Sequence, residues 1–458
     1  MARRRLDWFI VALAVGIRLT AVLALRSESL PRTTYEHGEI AANLLAGRGF
    51  SVKFLGADGP TSQQAPVYPL IVAGAYALGG AGAPRALLIL QLGQAALGGV
   101  LALGAVALAR EVAPGRTRIA LAAGIVTAVH PTLVYATTHV QVAVWAATLL
   151  VWVLVLGQRM ARSGHDRQAV ATGGLLGLLI LTDPILGLVA PAVGLATIRG
   201  LGRRRAIRAL AVLGLVAGIT LTPWTLRNYH IHGELVAVKS TFGYAFWQGN
   251  CALSEGTDKV VRASVERTLN RGRSLGGALD LRRLNATLWE ARHEAGYVDD
   301  VALTAEDYRV LAPLSEPERS RRLFQRALAD LRAEPGRYLA LTLRRLRYFV
   351  LFDETNPKTR NPIYRIGHLA LTLGAIGGWL AAPAWLRRNL VPTLLTAGLV
   401  TAFHALTITS ARFHIPLEPL MGLWAACLFS SRELRAPILA RRRGRTTGAI
   451  LATSRSRH

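Results

Sequence analysis

The chain is short of charge, of cysteine and of lysine. Only 18% of its 458 residues are charged and 52% are hydrophobic, whereas a soluble domain is about a quarter charged. The mean hydropathy is +0.33. This balance excludes a disordered or collagen-like chain and argues against a single soluble globule. Cys251 stands in a polar segment and Cys427 inside an apolar run, so these two cysteines form no disulfide framework. Lysine contributes four of the 54 basic residues and the rest are arginine, which points to a GC-rich bacterial genome rather than to any chemistry. The formal net charge is +27. A basic stripe with interleaved aromatics is missing, so the charge does not point to nucleic acid.

What is present is a series of apolar runs. The first extends from Trp8 to Leu25; others cover roughly 84–109, 118–136, 139–157, 168–182, 184–199, 206–222, 363–386, 389–408 and 413–430. A bilayer-crossing helix needs about 20 such residues, and these runs predict about ten spans. Arg18 interrupts the first run and no small-residue cleavage site follows it, so a retained helix is expected rather than a signal peptide. Twenty-four arginines fall in the segments that would be cytoplasmic if the N-terminus is inside, among them Arg3–Arg5, Arg203–Arg205 and eight after Ser431. The short outer loops hold one, Arg412. By the positive-inside rule both termini are cytoplasmic. A basic tail would also touch anionic lipids.

The same parity bears on residues 67–80, which are apolar but short. A crossing there would turn the later arginine clusters outward, so this segment is expected to dip into the outer leaflet or pack on the bundle. The domain plan is then 1–222, a transmembrane module with its first outer loop at 26–83; 223–362, an outer domain; 363–430, the last helices; and 431–458, the basic tail. The outer domain holds 17 of the 27 acidic residues. Pro317 to Leu331 has apolar residues at helical spacing. Tyr338 to Phe352 mixes Leu, Tyr and Phe with Arg344, Arg345 and Arg347, as expected of an amphipathic helix at a membrane surface.

The first outer loop carries Glu36 and Glu39, three residues apart and on one helix face. Such carboxylates either take a proton from a hydroxyl or simply favour the helix N-terminus. Arg18, mid-helix, needs a partner, for which Asp183 and Glu418 are available. His414 and Glu418, four apart, could share a hydrogen bond. His130 and His139 flank the second outer loop, but two histidines lacking a third ligand hold a metal weakly, so no metal site is read from spacing. Asn285-Ala-Thr287 fits a glycosylation acceptor.

The run Tyr35-Glu36…Ile40-Ala41-Ala42-Asn43-Leu44-Leu45-Ala46-Gly47-Arg48-Gly49-Phe50, followed by Ala65-Pro66-Val67-Tyr68-Pro69, resembles the first outer loop of GT-C superfamily glycosyltransferases. Bacterial family 39-like members, related to protein O-mannosyltransferases and the lipid A aminoarabinose transferase, are the nearest in pattern. Thr222 to Tyr229, Gly243 to Asn250, Glu334 to Tyr338 and Ala411 to Pro419 match in order along the chain. The resemblance implies an all-α polytopic GT-C-like bundle with a mainly helical outer domain. It implies a hexosyl- or pentosyltransferase of the bacterial inner membrane, using a polyprenyl-phosphate sugar and a glycan, lipid or protein acceptor. Glu36 takes the acid's role, with Glu39 beside it. Arg412 and Arg227 are assigned to the lipid phosphate, and Tyr68, Asn250 and His414 to substrate. No cofactor is certain. A divalent metal stays open, although the second outer loop lacks the acid that the family's richer members carry there. A transporter or flippase for a lipid-linked or anionic solute is the alternative.

Overall fold

The computed structural model describes residues 2–29, 34–258 and 303–430. The tail after Ser431 and the Asn285-Ala-Thr287 motif lie outside the described residues. Helices dominate, with one antiparallel hairpin, β1 (Ser51–Phe54) and β2 (Ala57–Pro60). The first half runs α1 (Ala2–Leu25), α2 (Tyr35–Leu45), the hairpin, α3 (Val67–Gly79), α4 (Pro84–Val112), α5 (Thr117–Val129), α6 (Pro131–Thr137), α7 (Ala143–Ser163) and α8 (Asp166–Ile180). The second half runs α9 (Ala190–Gly200), α10 (Arg203–His232), α11 (Phe242–Asn250), α12 (Ala305–Leu311), α13 (Glu316–Ala333), α14 (Pro335–Val350), α15 (Pro362–Ala381), α16 (Ala384–Leu406) and α17 (Glu418–Ala426).

Among the described residues, five helices, α1, α4, α7, α10 and α16, are long and apolar enough to cross a membrane, or six if α5 and α6 form one bent span. The expected count was ten, and length and apolarity alone carry five or six. The expected continuous span over 118–136 is broken at His130-Pro131 by a 50° bend. Pro131 has no N–H and cannot bond the Thr127 carbonyl, so the helix ends there. Asp183-Pro184 breaks the chain similarly. Asp183 Oδ1 accepts the Ile185 N–H at 3.2 Å, capping a short 3-10 helix, Pro184–Val189, that leads into α9.

The freed carbonyls explain Arg18, which is fully buried. Its guanidinium donates to Ala128 O at 2.9 Å, Thr127 O at 3.2 Å and Ala14 O at 3.1 Å. Asp183 and Glu418, the partners expected from sequence, do not hold it. The negative end of the α5 dipole does that work instead.

Two of the four apolar clusters among the described residues are the largest. The larger packs α1, α4, α5, α7 and their neighbours through residues such as Ile10, Leu101, Val106, Leu150 and Leu420. The second joins the hairpin to α11–α13 through Phe50, Val52, Phe54, Trp247 and Leu323. Segment 67–80 forms α3, whose 13 residues reach about 20 Å at 1.5 Å each, short of a crossing. It packs its Tyr68, Val72 and Tyr76 face against α4, consistent with the packed reading. The opposite end of the bundle is arginine-rich and paired: Arg110 meets Asp7 at 2.5 Å, and Glu111 takes Arg159 at 3.0 Å and Arg162 at 2.6 Å.

α13 begins one residue before the expected Pro317, capped by the Ser315 hydroxyl, which accepts the Glu318 N–H. α14 shows two faces. Leu341, Arg345, Tyr348 and Phe349 dock inward, while Leu339, Leu343, Leu346 and Val350 stay exposed. Arg345 is buried on the docked side, where it donates to Ala405 O at 2.6 Å and Gly249 O at 2.8 Å.

Candidate active site

Charged groups from separate segments meet at the hairpin end of the bundle. Glu36, in the first turn of α2, is half-buried, and Gln63 Nε2 donates to its Oε1 at 3.4 Å. His37 follows, edge-on to Tyr68 with ring centroids 4.9 Å apart. Burial, with the nearby charges of Lys239 and Arg412, holds its imidazole down at about 3. It is therefore neutral near pH 7. Among the described residues, His37 Nδ1 and Gln63 Oε1 are buried and lack a hydrogen-bond partner. Polar atoms in that condition need a reason, and a ligand arriving beside Glu36 is one.

Lys239 donates to Gln64 Oε1 at 3.2 Å. Burial lowers its ammonium pKa and Arg412 adds to this, while Asp183, Glu36 and Glu316 oppose it. Asp183 is pushed up by burial, against the pull of Lys239 and Arg412. Arg412 is half exposed, 3.5 Å from Asp258 and stacked over Phe413. Backbone pairing holds that Asp258: its N–H donates to Thr409 O at 3.2 Å, and the Thr409 N–H donates to Gly256 O at 3.1 Å. Two carboxylates and two cations thus act on one another in a partly desolvated cluster.

A buried node fixes the loop that carries Gln63 and Gln64. Glu316, at the start of α13, accepts from Ser62 N–H at 2.7 Å, from Thr61 Oγ1 at 2.5 Å and from the Ser240 hydroxyl. Ser62 Oγ donates to Asn228 Oδ1 at 2.7 Å. Arg227 completes the node, donating to Thr61 O at 2.5 Å and Phe50 O at 2.9 Å, with its guanidinium 4.6 Å from the Trp224 ring centroid. Its two terminal nitrogens bond Thr61, Ser62, Asn228 and Phe50, so it acts as a strut at this node.

Four other expected residues fall elsewhere. Glu39 accepts the Lys53 N–H at 2.9 Å and anchors the hairpin. Tyr68 is fully buried and donates to Gln94 Oε1 at 3.0 Å, which ties α3 to α4. Asn250 donates to Phe246 O and Thr407 O and accepts from Arg345, joining α11, α14 and the end of α16. His414 is buried beside Glu418 and Tyr364. Each is positioned by bonds inside the protein rather than offered to a ligand in the Glu36 cluster. Sequence reading missed Lys239, His37 and Glu316, and took Asp183 only as a partner for Arg18. One signal was available: lysine is scarce in this chain, so a lysine in the outer segment stands out.

No family model matches the sequence, and no curated protein sequence matches it. Solved structures do. The archaeal oligosaccharyltransferase AglB from Archaeoglobus fulgidus, solved with an inhibitory peptide and a dolichol-phosphate, superposes over 95% of this chain and 52% of its own, with a TM-score of 0.54 and 14% identity. ArnT from Cupriavidus metallidurans, solved with undecaprenyl phosphate, covers 94% of this chain and 80% of its own, with a TM-score of 0.42 and 16% identity. The described residues form a mainly helical bundle with five or six helices long and apolar enough to cross a membrane, and its fold is similar to that of AglB. The chain spans about half the length of AglB.

Proposed function

We propose that the protein is a membrane glycosyltransferase that moves a hexose or pentose from a polyprenyl-phosphate-linked donor to an acceptor at the extracytoplasmic face of the bacterial inner membrane. The observation that carries this reading is the meeting of Glu36, Asp183, Lys239 and Arg412 at one end of a GT-C bundle. AglB, which shares the fold, was solved with dolichol-phosphate, and that supports a lipid phosphate as the donor's leaving group. Both termini would be cytoplasmic, with 26–83 and 223–362 outside. The exposed Leu339, Leu343, Leu346 and Val350 of α14 would rest on the membrane surface.

In this scheme the Glu36 carboxylate removes the acceptor hydroxyl proton as the oxygen attacks the anomeric carbon. The bond from that carbon to the phosphate oxygen breaks. The sugar passes through an oxocarbenium-like state while negative charge gathers on the lipid phosphate. Arg412, half exposed at the cluster's rim, and Lys239, desolvated within it, would stabilise that charge. Asp183 and Asp258 would keep the two cations in place. No step is routed through a metal.

The test uses purified full-length protein in nanodiscs with radiolabelled polyprenyl-phosphate sugars, comparing wild type with Glu36→Gln and Arg412→Ala. Transfer or release of sugar by wild type, abolished in Glu36→Gln at unchanged melting temperature, is the expected result. For Arg412→Ala, a rise in apparent donor KM is expected. Donor binding without turnover by wild type would overturn the proposal in favour of transport, and a fully active Glu36→Gln would remove the base.

A further inference from the structure

A second cluster lies apart from the Glu36 site, among α5, α15 and α17. His130 comes from the α5–α6 break, His368 from α15, and His414 and Glu418 from the start of the last helix. All four are buried, with 1–5% of their surface exposed. His368, His414 and Glu418 each offer a ligand atom within 4.8 Å of the others. One Glu418 oxygen is 3.3 Å from His414 Nδ1, and the other is 3.4 Å from His130 Nε2. A charge-assisted hydrogen bond would close to about 2.7–2.9 Å. The His414–Glu418 separation instead matches two neighbouring ligands of a tetrahedral zinc, about 3.3–3.4 Å apart for bonds of about 2.0–2.1 Å, while His130 sits on the other Glu418 oxygen.

The unfilled valences point the same way. Among the described residues, His130 Nε2, His368 Nδ1, His414 Nδ1 and both Glu418 oxygens are buried without a hydrogen-bond partner. Five such atoms in one place are costly unless something binds them. The far side of the rings is already arranged for ligation. His368 Nε2 is 2.9 Å from Val350 O, an acceptor only, so this nitrogen carries the proton and Nδ1 keeps its lone pair. His414 Nε2 bonds the Tyr364 hydroxyl at 3.1 Å. Fixing the outer nitrogen in this way is what orients metal-bound histidines.

We infer that His368, His414 and Glu418 form a site for a tetrahedral divalent transition metal, with zinc the best match to two imidazole nitrogens and one carboxylate oxygen. A water completes the fourth position, and His130 holds the second Glu418 oxygen from outside the ligand set. The metal clamps α15 to the start of the last helix. His414 is two residues after Arg412, so the clamp also sets the register of that arginine. The net charge of two neutral imidazoles and one carboxylate is −1, which a dication offsets in a place where an unpaired carboxylate is unfavourable.

The experiment uses full-length protein carrying a tag without histidine, purified in detergent without added metal. Elemental analysis should find about one zinc per chain, matching a single site. After chelation, the melting temperature should fall and recover on adding zinc alone. Cobalt added to the chelated protein should give the intense visible bands of tetrahedral coordination. His368→Ala and Glu418→Gln should lose the metal, while His139→Ala, whose ring bonds Tyr135 O instead, should keep it. Protein that contains no metal and whose melting temperature ignores zinc overturns the inference. So does metal retained in both His368→Ala and Glu418→Gln. If those variants fail to fold, the cobalt spectrum of the wild type still decides, since an octahedral spectrum or none also overturns it.

Discussion

At the scale of single residues, Arg18 illustrates how a buried charge is tolerated without a counter-ion. Its guanidinium lies on the carbonyls that Pro131 leaves unbonded, and α4 leaves room for it at Gly98. A Cβ on Gly98 would stand 2.2 Å from Arg18 Nε and 2.3 Å from its Cδ. The arginine is pinned by its carbonyl bonds and cannot move aside. Gly98→Ala should therefore destabilise by about 1–3 kcal/mol, read as a lower melting temperature in detergent, whereas Gly93→Ala, which meets open space, should melt like wild type.

His37 supports a prediction about pH. Its folded pKa, about 3, lies below the 6.5 of an ordinary histidine. Between those values the unfolded chain binds more protons, so stability from this group is full above about 6.5 and is lost as pH falls toward 3, at up to about 1.4 kcal/mol per pH unit. Thermal melts from pH 7 to pH 4 should show a decline that is shallower in His37→Gln. Parallel slopes for the two proteins would contradict the buried, neutral imidazole.

Among elements, the decisive joint is between the hairpin loop and α13. Glu316 reaches Thr61, Ser62 and Ser240 across more than 250 residues of chain for the first two. Glu316→Ala should cost about 1–3 kcal/mol by leaving those donors unbonded. It should also open the 61–64 loop to limited proteolysis and lower any transfer activity. Helices α13 and α14 were legible beforehand, because their apolar periodicity, Ser315 and Pro335 are local signals. The kink at Pro131 was not foreseen, since a proline within an apolar run can bend a span or be accommodated by it. Which occurs depends on the partner that takes the freed carbonyls, here a residue more than 100 positions away.

For the whole molecule, the arginine distribution makes the proposed orientation testable. In a protein lacking the buried Cys251 and Cys427, Asp58→Cys on the hairpin and Arg167→Cys at the arginine end should differ. An impermeant thiol reagent on intact cells should label the first and spare the second. The reverse pattern would invert the topology.

The sequence by itself determined the apolar character of the bundle and the helices with capped and periodic patterns. These follow from composition and from neighbours within a few residues, where propensity and period act. Only the tertiary structure decided which polar groups meet. Glu36, Asp183, Lys239 and Arg412 are joined by helix packing, and so are His130, His368 and Glu418. Arg227, Tyr68 and Asn250 matched a motif as well as Glu36 did. The bonds they make to backbone and buried side chains tie helices together, contacts that no local pattern announces.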